Sequence, residues 1–330
     1  MTIDVHTHVL PERWPDLVER WGDGRWPRLE RLDACSARIL VAGRHFRDIT
    51  DQCWDPRRRL EDMARTGVDR QVLSTVPVMF SYWAPARAAL ELCRCLNDHI
   101  AGVVRDAPDP FLGLATVPLQ DVELAIAEMG RAVGELGLSG VEIGSNVGGW
   151  NLDDPALFPF FEAAAARRVP LFVHPWEVLG AERLGRYFFP WLVGMPAETA
   201  LAIASLILGG VLERLPDLRV CFAHGGGAFF YILPRLDAGW RVRPECQAAI
   251  PRPPSDYARR FWVDSLTHDP DVLRFLIGRI GTERVLLGSD YPFALGEAMP
   301  GETIRRLDGI SEPNRARLLG GNCAAFLGLG

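Results

Sequence analysis

Three observations predict an α/β fold, a TIM-like (β/α)8 barrel with a small N-terminal insertion subdomain. Eight short β-like runs alternate with helical patterns along the chain. Histidines and one aspartate sit just where several of these runs end. One long segment, about 12–52, breaks the alternation and reads as a subdomain near the barrel mouth. An open doubly wound sheet is the competing arrangement. No G-x-G-x-x-G follows any strand, and the triplet Gly225–Gly227 follows one without that spacing.

The predicted strands are Ile3–Val5, Gln71–Thr75, Leu112–Thr116, Gly140–Ile143, Pro170–His174, Arg219–Phe222, Phe261–Asp264 and Arg284–Leu287. Helices fill the gaps. Asp55-Pro56 starts one, with Leu60, Met63 and Ala64 on a shared face and Gly67 at its end. Asp121 caps the next, whose apolar positions Val122, Ala125, Ile126, Met129, Val133 and Leu136 follow helical spacing up to Gly137. Asp154-Pro155 starts a third, and further helices are predicted over about 86–105, 197–214, 269–280 and 302–319. One continuous unit over 1–330 is expected, since no linker, repeat or low-complexity tract divides the chain.

Composition narrows the function. The chain has 330 residues, 48% hydrophobic and 24% charged, which suits a large enzyme-sized core. Its net charge of −6 argues against nucleic acid or an anionic membrane as partner. The apolar run Ala200–Leu212 is too short for a bilayer and reads as a buried helix. The N-terminus lacks a basic region followed by a long apolar stretch, and seven irregularly spaced cysteines suit reduced thiols; a cytoplasmic protein is expected. All 36 basic residues are arginine. A lysine Schiff base and a P-loop are therefore both excluded.

In a strand, residues i and i+2 point the same way, so IDVHTH presents His6 and His8 side by side. His174 ends LFVH, His224 ends VCFAH, and Asp290 follows VLLGS. Barrel active sites lie at the C-terminal ends of the strands. Each residue alone has an ordinary reading, such as a hydrogen-bonded rim histidine or a turn aspartate. Five on one rim point to a metal site. His268, in LTHD, is a weaker candidate at the same rim, whereas His45 and His99 follow no such pattern.

This arrangement resembles the amidohydrolase superfamily, which carries H-x-H on the first strand, histidines after the fifth and sixth, and aspartate after the eighth. Many members bind two metals through a carboxylated lysine on the fourth strand. Here that stretch, GVEIGSN, offers only Glu142, which favours one metal held by His6, His8, His174 and Asp290. Three imidazoles and a carboxylate suit Zn²⁺, with Mn²⁺ or Co²⁺ able to occupy the same set. Longer stretches are more specific. STVPVMFSYW (Ser74–Trp83), HPWE (His174–Glu177), PWLVGMPAET (Pro190–Thr199), CFAHGGGAF (Cys221–Phe229) and GSDYPFALGE (Gly288–Glu297) resemble the 2-amino-3-carboxymuconate-6-semialdehyde decarboxylase family, as do HFRD and CWDP in the N-terminal part. Two departures are local. Val41 stands where some relatives carry lysine, and VLGAER after HPWE replaces a Met-rich stretch.

The resemblance implies a zinc-dependent, oxygen-independent decarboxylase of tryptophan (kynurenine) or nitroaromatic breakdown. It implies that Arg47 and Arg235 hold the substrate carboxylates, Arg235 reaching in from the second chain of a homodimer, with Arg243 a lesser candidate. It also implies that His224 is a proton-transfer residue beside the metal, not a ligand. Trp191 and Phe293 are candidate apolar walls. Metal-assisted hydrolysis is the alternative enzyme class, which the paired arginines disfavour. A non-catalytic binding barrel would not need a ligand set plus a free base.

Overall fold

The structure, a computed structural model, describes residues 1–329. Eight parallel strands form the barrel: β1 (Ile3–Val9), β5 (Arg70–Thr75), β6 (Phe111–Ala115), β7 (Gly140–Gly144), β10 (Leu171–His174), β11 (Val220–Phe222), β12 (Trp262–Asp264) and β13 (Val285–Leu286), paired in that order. Every residue of β1, β6, β7, β10 and β11 is buried; β6, β10 and β11 are accordingly apolar almost throughout, whereas β1 buries Asp4, His6, Thr7 and His8 as well. Closure joins the first strand to the last. Val5 donates its N–H to the Leu287 carbonyl at 2.9 Å, and Thr7 bridges to Tyr291 in parallel register. All eight predicted strands occur. β1 runs on to Val9, and its pairing with β5 shifts register between Asp4 and Thr7.

The helices ring the barrel. They are α2 (Pro56–Thr66), α3 (Ala86–Asp106), α4 (Val122–Gly134), α5 (Phe158–Ala166), α6 (Met195–Leu208), α7 (Val211–Arg214), α8 (Phe229–Val242), the short α9 (Pro244–Gln247), α10 (Pro270–Ile280), α11 (Glu302–Arg305), α12 (Glu312–Ala316) and α13 (Asn322–Leu327). The predicted caps hold: Asp55 accepts from Arg57 N, Asp121 from Leu124 N, and Gly67 takes a left-handed conformation. The main core lies between barrel and helices, where Leu73, Val141, Val173, Phe222 and Val263 meet Met129, Phe161, Ile203 and Leu273.

Three expectations need correction. The segment 197–214 is not one helix: Gly210, with φ 74°, separates α6 from α7. The segment 302–319 is not one helix either. Gly309, with φ 74°, breaks it, and Arg315 donates to the carbonyls of Ile304, Arg305 and Leu307. The buried face of α2 is not Leu60–Met63–Ala64, because Leu60 and Ala64 are exposed. It is Arg59–Asp62–Met63. That helix lies against a seam of polar backbone, so its inner face is polar.

Within 12–52, the chain forms α1 (Leu17–Trp21) and an antiparallel sheet of β2 (Arg28–Arg31), β3 (Ser36–Val41) and β4 (Arg44–Thr50). Ala42 and Gly43 turn β3 into β4 with positive φ, as tight hairpins require. Leu17, Trp26, Ala37, Ile39 and Ile49 pack on Val76, Val78, Met79, Ala88 and Leu92, which lie around the β5–α3 connection. This seats the sheet over one side of the barrel mouth. A small hairpin, β8 (Asn146–Val147) and β9 (Trp150–Asn151), follows β7.

The turn after β11 is the most constrained. His224 (φ 55°), Gly225 (61°), Gly226 (76°) and Gly227 (59°) all lie in the left-handed region. Glycine enters that region without steric cost. A Cβ at Gly227 would stand 2.3 Å from the Pro196 carbonyl oxygen. Gly227→Ala should therefore lose more than about 2 kcal/mol of stability, from strain and clash together. Urea unfolding of the variant checks this, and an unchanged midpoint would show that the turn relaxes freely.

Candidate metal centre and substrate cavity

The C-terminal ends of the strands bring five predicted residues together. His6 and His8 share the inner face of β1, His174 ends β10, His224 follows β11, and Asp290 lies four residues past Leu286 at the end of β13. The His6 ring centroid is 5.1 Å from those of His8, His174 and His224. His174 and His224 are 5.0 Å apart. Asp290 Oδ1 lies 3.4 Å from His6 Nε2 and 3.1 Å from His8 Nε2. One ligand atom each from His6, His174, His224 and Asp290 fall within 4.8 Å of one another.

Outward hydrogen bonds distinguish the four histidines. His6 Nδ1 meets Asp264 Oδ2 at 2.7 Å, His8 Nδ1 the Thr75 carbonyl at 2.8 Å, and His174 Nδ1 the Pro175 carbonyl at 2.9 Å. With acceptors opposite, each Nδ1 carries the proton and each Nε2 lone pair turns inward. His6 Nε2 and His8 Nε2 then face each other at 3.1 Å, with a carboxylate beside them. Acceptors crowded together in this way need a cation between them, so the donor set fits a divalent metal. The His224 Nδ1 is buried and meets no partner among the described residues, so no such clamp fixes its ring.

Electrostatics agree with that need for positive charge. Burial pulls the His6 pKa down, but Asp264 and Asp290 carry it up to about 9. Burial leaves His8 below its ordinary value and His174 far below it. His224 is pushed down to about 4, by burial first and by the charge of His6 next. Burial opposes ionisation of Asp290, yet the His8 hydrogen bond and the neighbouring imidazoles hold its pKa well below the usual carboxylate range. Glu142, on β7, accepts from Ser74 Oγ at 3.3 Å, and its other oxygen meets no partner among the described residues. Burial pushes its pKa well up, because a carboxylate there would be desolvated.

A narrow pocket above this rim is lined by His8, His174, Asp290, Arg47, Phe293 and Trp176. Arg47, on β4, lays its guanidinium 4.1 Å from the Phe293 ring centroid and 5.6 Å from that of Trp191. It has no carboxylate partner among the described residues, and burial lowers its pKa. Trp191 and Met195 line this pocket and two larger spaces beside it. One, about 630 Å³, reaches His224 and Asp290 and is walled by Phe230, Tyr231, Leu266 and Phe275, with His268 at its edge. The other, about 500 Å³, is lined by Phe46, Trp83, Trp176, Arg25 and Glu177. Val41, Val178 and Ala181 also line it, so both local departures noted in the sequence fall in one lobe.

Two predicted arginines lie elsewhere in this chain. Arg235 is exposed on α8, one turn beyond Tyr231. Arg243 is exposed at the end of α8 and engages Glu245 through an Nε hydrogen bond of 2.7 Å, which occupies its charge locally. Sequence reasoning missed Asp264 and Asp4. Asp264 orients His6 and also accepts from Gly225 N at 2.8 Å, tying the His224 turn to the same carboxylate. Asp4 accepts from His6 N and Ser289 N, and burial raises its pKa to about 7. The signal for Asp264 was its place at the end of a buried strand on the same rim.

Comparison with known proteins places the chain. Residues 3–329 match the amidohydrolase family. The chain is 51% identical over 330 residues to the 2-amino-3-carboxymuconate-6-semialdehyde decarboxylase of Dictyostelium discoideum, covering 100% of this chain and 92% of that one. It is 35% identical over 375 residues to the enzyme of the same name from Caenorhabditis elegans, covering 98% and 94%. Among solved structures, 5-carboxyvanillate decarboxylase LigW from Sphingomonas paucimobilis superposes with a TM-score of 0.77 at 29% identity, covering 84% of this chain and 85% of that one. The IDCase of Metarhizium anisopliae shares the fold with a TM-score of 0.86 at 22% identity, covering 100% and 97%. With its rim of histidines and aspartate and these relatives, the chain belongs to the amidohydrolase family, on the branch that resembles the 2-amino-3-carboxymuconate-6-semialdehyde decarboxylases.

Proposed function

We propose that this metal-dependent decarboxylase removes CO₂ from 2-amino-3-carboxymuconate 6-semialdehyde, giving 2-aminomuconate 6-semialdehyde. The observation that carries this reading is Arg47, a half-buried guanidinium without a carboxylate partner among the described residues, lining the same pocket as His8, His174 and Asp290. Such a fork matches a substrate carboxylate bidentately. The names of the two relatives supply the particular acid. Such an activity would serve tryptophan (kynurenine) or nitroaromatic breakdown.

His6, His8, His174 and Asp290 would hold one Zn²⁺, through three Nε2 atoms and one carboxylate. The absence of lysine supports a single ion. Mn²⁺ is the alternative, being bound in the dihydroxybenzoic acid decarboxylase of Polaromonas, which shares the fold at 24% identity with a TM-score of 0.76, covering 99% of this chain and 97% of that one. When bound, the ion supplies positive charge that acidifies a water toward pKa about 7 and offsets charge building on the substrate. Arg47 fixes a carboxylate while Phe293, Trp176 and Trp191 exclude bulk water. His224, with its low pKa, starts as a neutral base. It takes a proton from the site water, and that proton passes to the substrate diene. With that proton on the carbon that bears the departing carboxylate and the hydroxide added to its neighbour, the C–C bond to the carboxylate breaks, its electrons re-form the double bond, and hydroxide is expelled. The net change is one proton gained and one CO₂ lost.

Following the semialdehyde's visible-to-near-UV band while trapping CO₂ tests this reading. Loss of the band with one CO₂ per turnover is expected, and loss without CO₂ would indicate hydrolysis instead. Protein purified without added metal should contain about one equivalent of divalent ion. His6→Ala and His8→Ala should lose that ion. His224→Ala should retain it and slow turnover by ~10²–10⁴-fold, the range for general acid–base help. A metal-free His224→Ala would make His224 a ligand.

The second arginine comes from the partner in a homodimer. Arg235 has no acidic partner among the described residues of its own chain, and it lies on α8 one turn beyond Tyr231, which is 85% exposed at the edge of the large cavity. Leu192, Val272 and Phe275, also exposed, line the same cavity as Tyr231. Arg235→Ala and His224→Ala should each be nearly inactive alone. Reassociated in equal amounts, they should regain roughly a quarter of wild-type activity, because about half the dimers are mixed and each has one complete site. No recovery, with mixed dimers confirmed by mass spectrometry, would remove Arg235 from the site.

A further inference from the structure

We propose that Arg59, Asp62 and Tyr291 form a clamp that positions His8 and Asp290 and so sets metal affinity from outside the barrel. The inference rests on the reading that these ligands hold a divalent ion. Arg59 is wholly buried, yet no carboxylate lies within ion-pair distance of it among the described residues. Four of its five N–H groups are used instead on neutral acceptors. Nη1 donates to the His8 carbonyl at 2.7 Å and to the Gln52 carbonyl at 2.9 Å. Nη2 donates to Thr7 Oγ1 at 2.9 Å and Nε to Gln71 Oε1 at 3.0 Å. Burying a guanidinium in this way costs several kcal/mol unless its donors are satisfied.

The clamp sits where the metal-bearing segments meet. His8 N donates to the Tyr291 carbonyl at 2.7 Å, and Asp290 N to the His6 carbonyl at 2.9 Å. Arg59 lies 4.8 Å from the centroid of the Tyr291 ring. The Tyr291 hydroxyl donates to Asp62 Oδ2 at 2.8 Å, and Asp62 is one turn from Arg59 on α2. Gln52 Nε2 donates to the same oxygen at 2.6 Å, which ties in the segment after β4 that carries Arg47. One helix therefore grips the backbone of His8 from one side and the residue after Asp290 from the other. If either segment moves, the ligand atoms separate.

The test is competition of Zn²⁺ between protein and a chelator at fixed pH, with the melting temperature of the metal-free protein measured alongside. Tyr291→Phe keeps the ring beside Arg59, and Asp62 keeps Gln52 and Arg65 as partners. It should weaken Zn²⁺ binding by about 10–100-fold, the range seen for groups that orient ligands. Melting of the metal-free protein should change little, and the Co²⁺-loaded form should show a shifted visible band. Arg59→Lys should weaken Zn²⁺ binding likewise, with a lower melting temperature from the donors it loses, and the affinity of the double variant should fall no further than that of the worse single one, since both act through one clamp. A merely structural role would lower the melting temperature and leave affinity and spectrum alone. Wild-type Zn²⁺ affinity retained in Tyr291→Phe would overturn the clamp, as would losses that multiply in the double variant. If the wild type itself bound no Zn²⁺ or Co²⁺, the metal reading would fail instead.

Discussion

The seam between the first strand and the segment after the last is the constraint on which the site depends. His8 N to Tyr291 O and Asp290 N to His6 O lock the two segments in register. Three of the four proposed metal ligands lie on either side of those bonds. A barrel closes only when strand number, tilt and stagger agree, so the geometry of closure and that of the ligands are one problem. A slip of one residue would turn His6 and His8 out of the barrel.

The seam also explains where polar residues are buried. Barrel interiors are ordinarily filled by branched apolar side chains. Here Asp4, Thr7, Ser74, Glu142, Asp264 and Ser289 are all buried near the rim. Unpaired, each would cost about 1–3 kcal/mol or more. The hydrogen bonds offset much of that cost by joining them to the ligands: Asp264 to His6 and to the Gly225 turn, Asp4 to the His6 and Ser289 amides. The network fixes imidazole tautomers and leaves His224 outside it. Two kinds of histidine thus arise from one rim, separated by what each Nδ1 touches.

Beyond the rim, the sheet of 12–52 and the barrel loops divide the cavity. Arg47 enters from β4, Trp191 from the turn before α6, and Phe293 from the segment after Asp290. Three separate elements deliver one anion pocket. The lobe behind Trp176 has apolar walls with one acid and one base, whereas the larger space opens beside α8. In the proposed homodimer, selectivity and assembly would occupy different sides of the same rim.

The eight strands, most helix caps and the five rim residues were legible in the sequence, because each depends on local pattern. A buried parallel strand needs an apolar run, a cap needs Asp or Gly, and rim placement puts the polar residue at the run's end. The exceptions are instructive. The polar inner face of α2 was hidden because Leu60 and Ala64 share helical spacing with Met63, and only the backbone opposite decides that Arg59 and Asp62 face inward. The break at Gly309 was overridden in the sequence by the helical spacing around it. Asp264 read as an ordinary strand end until His6, 258 residues away in the chain, was found against it. Local chemistry determined the elements and the metal-binding residue types. Tertiary structure alone decided which imidazole nitrogens are bound outward, which arginine lies at the rim and which remain on the surface, because those choices rest on contacts between residues far apart in the chain.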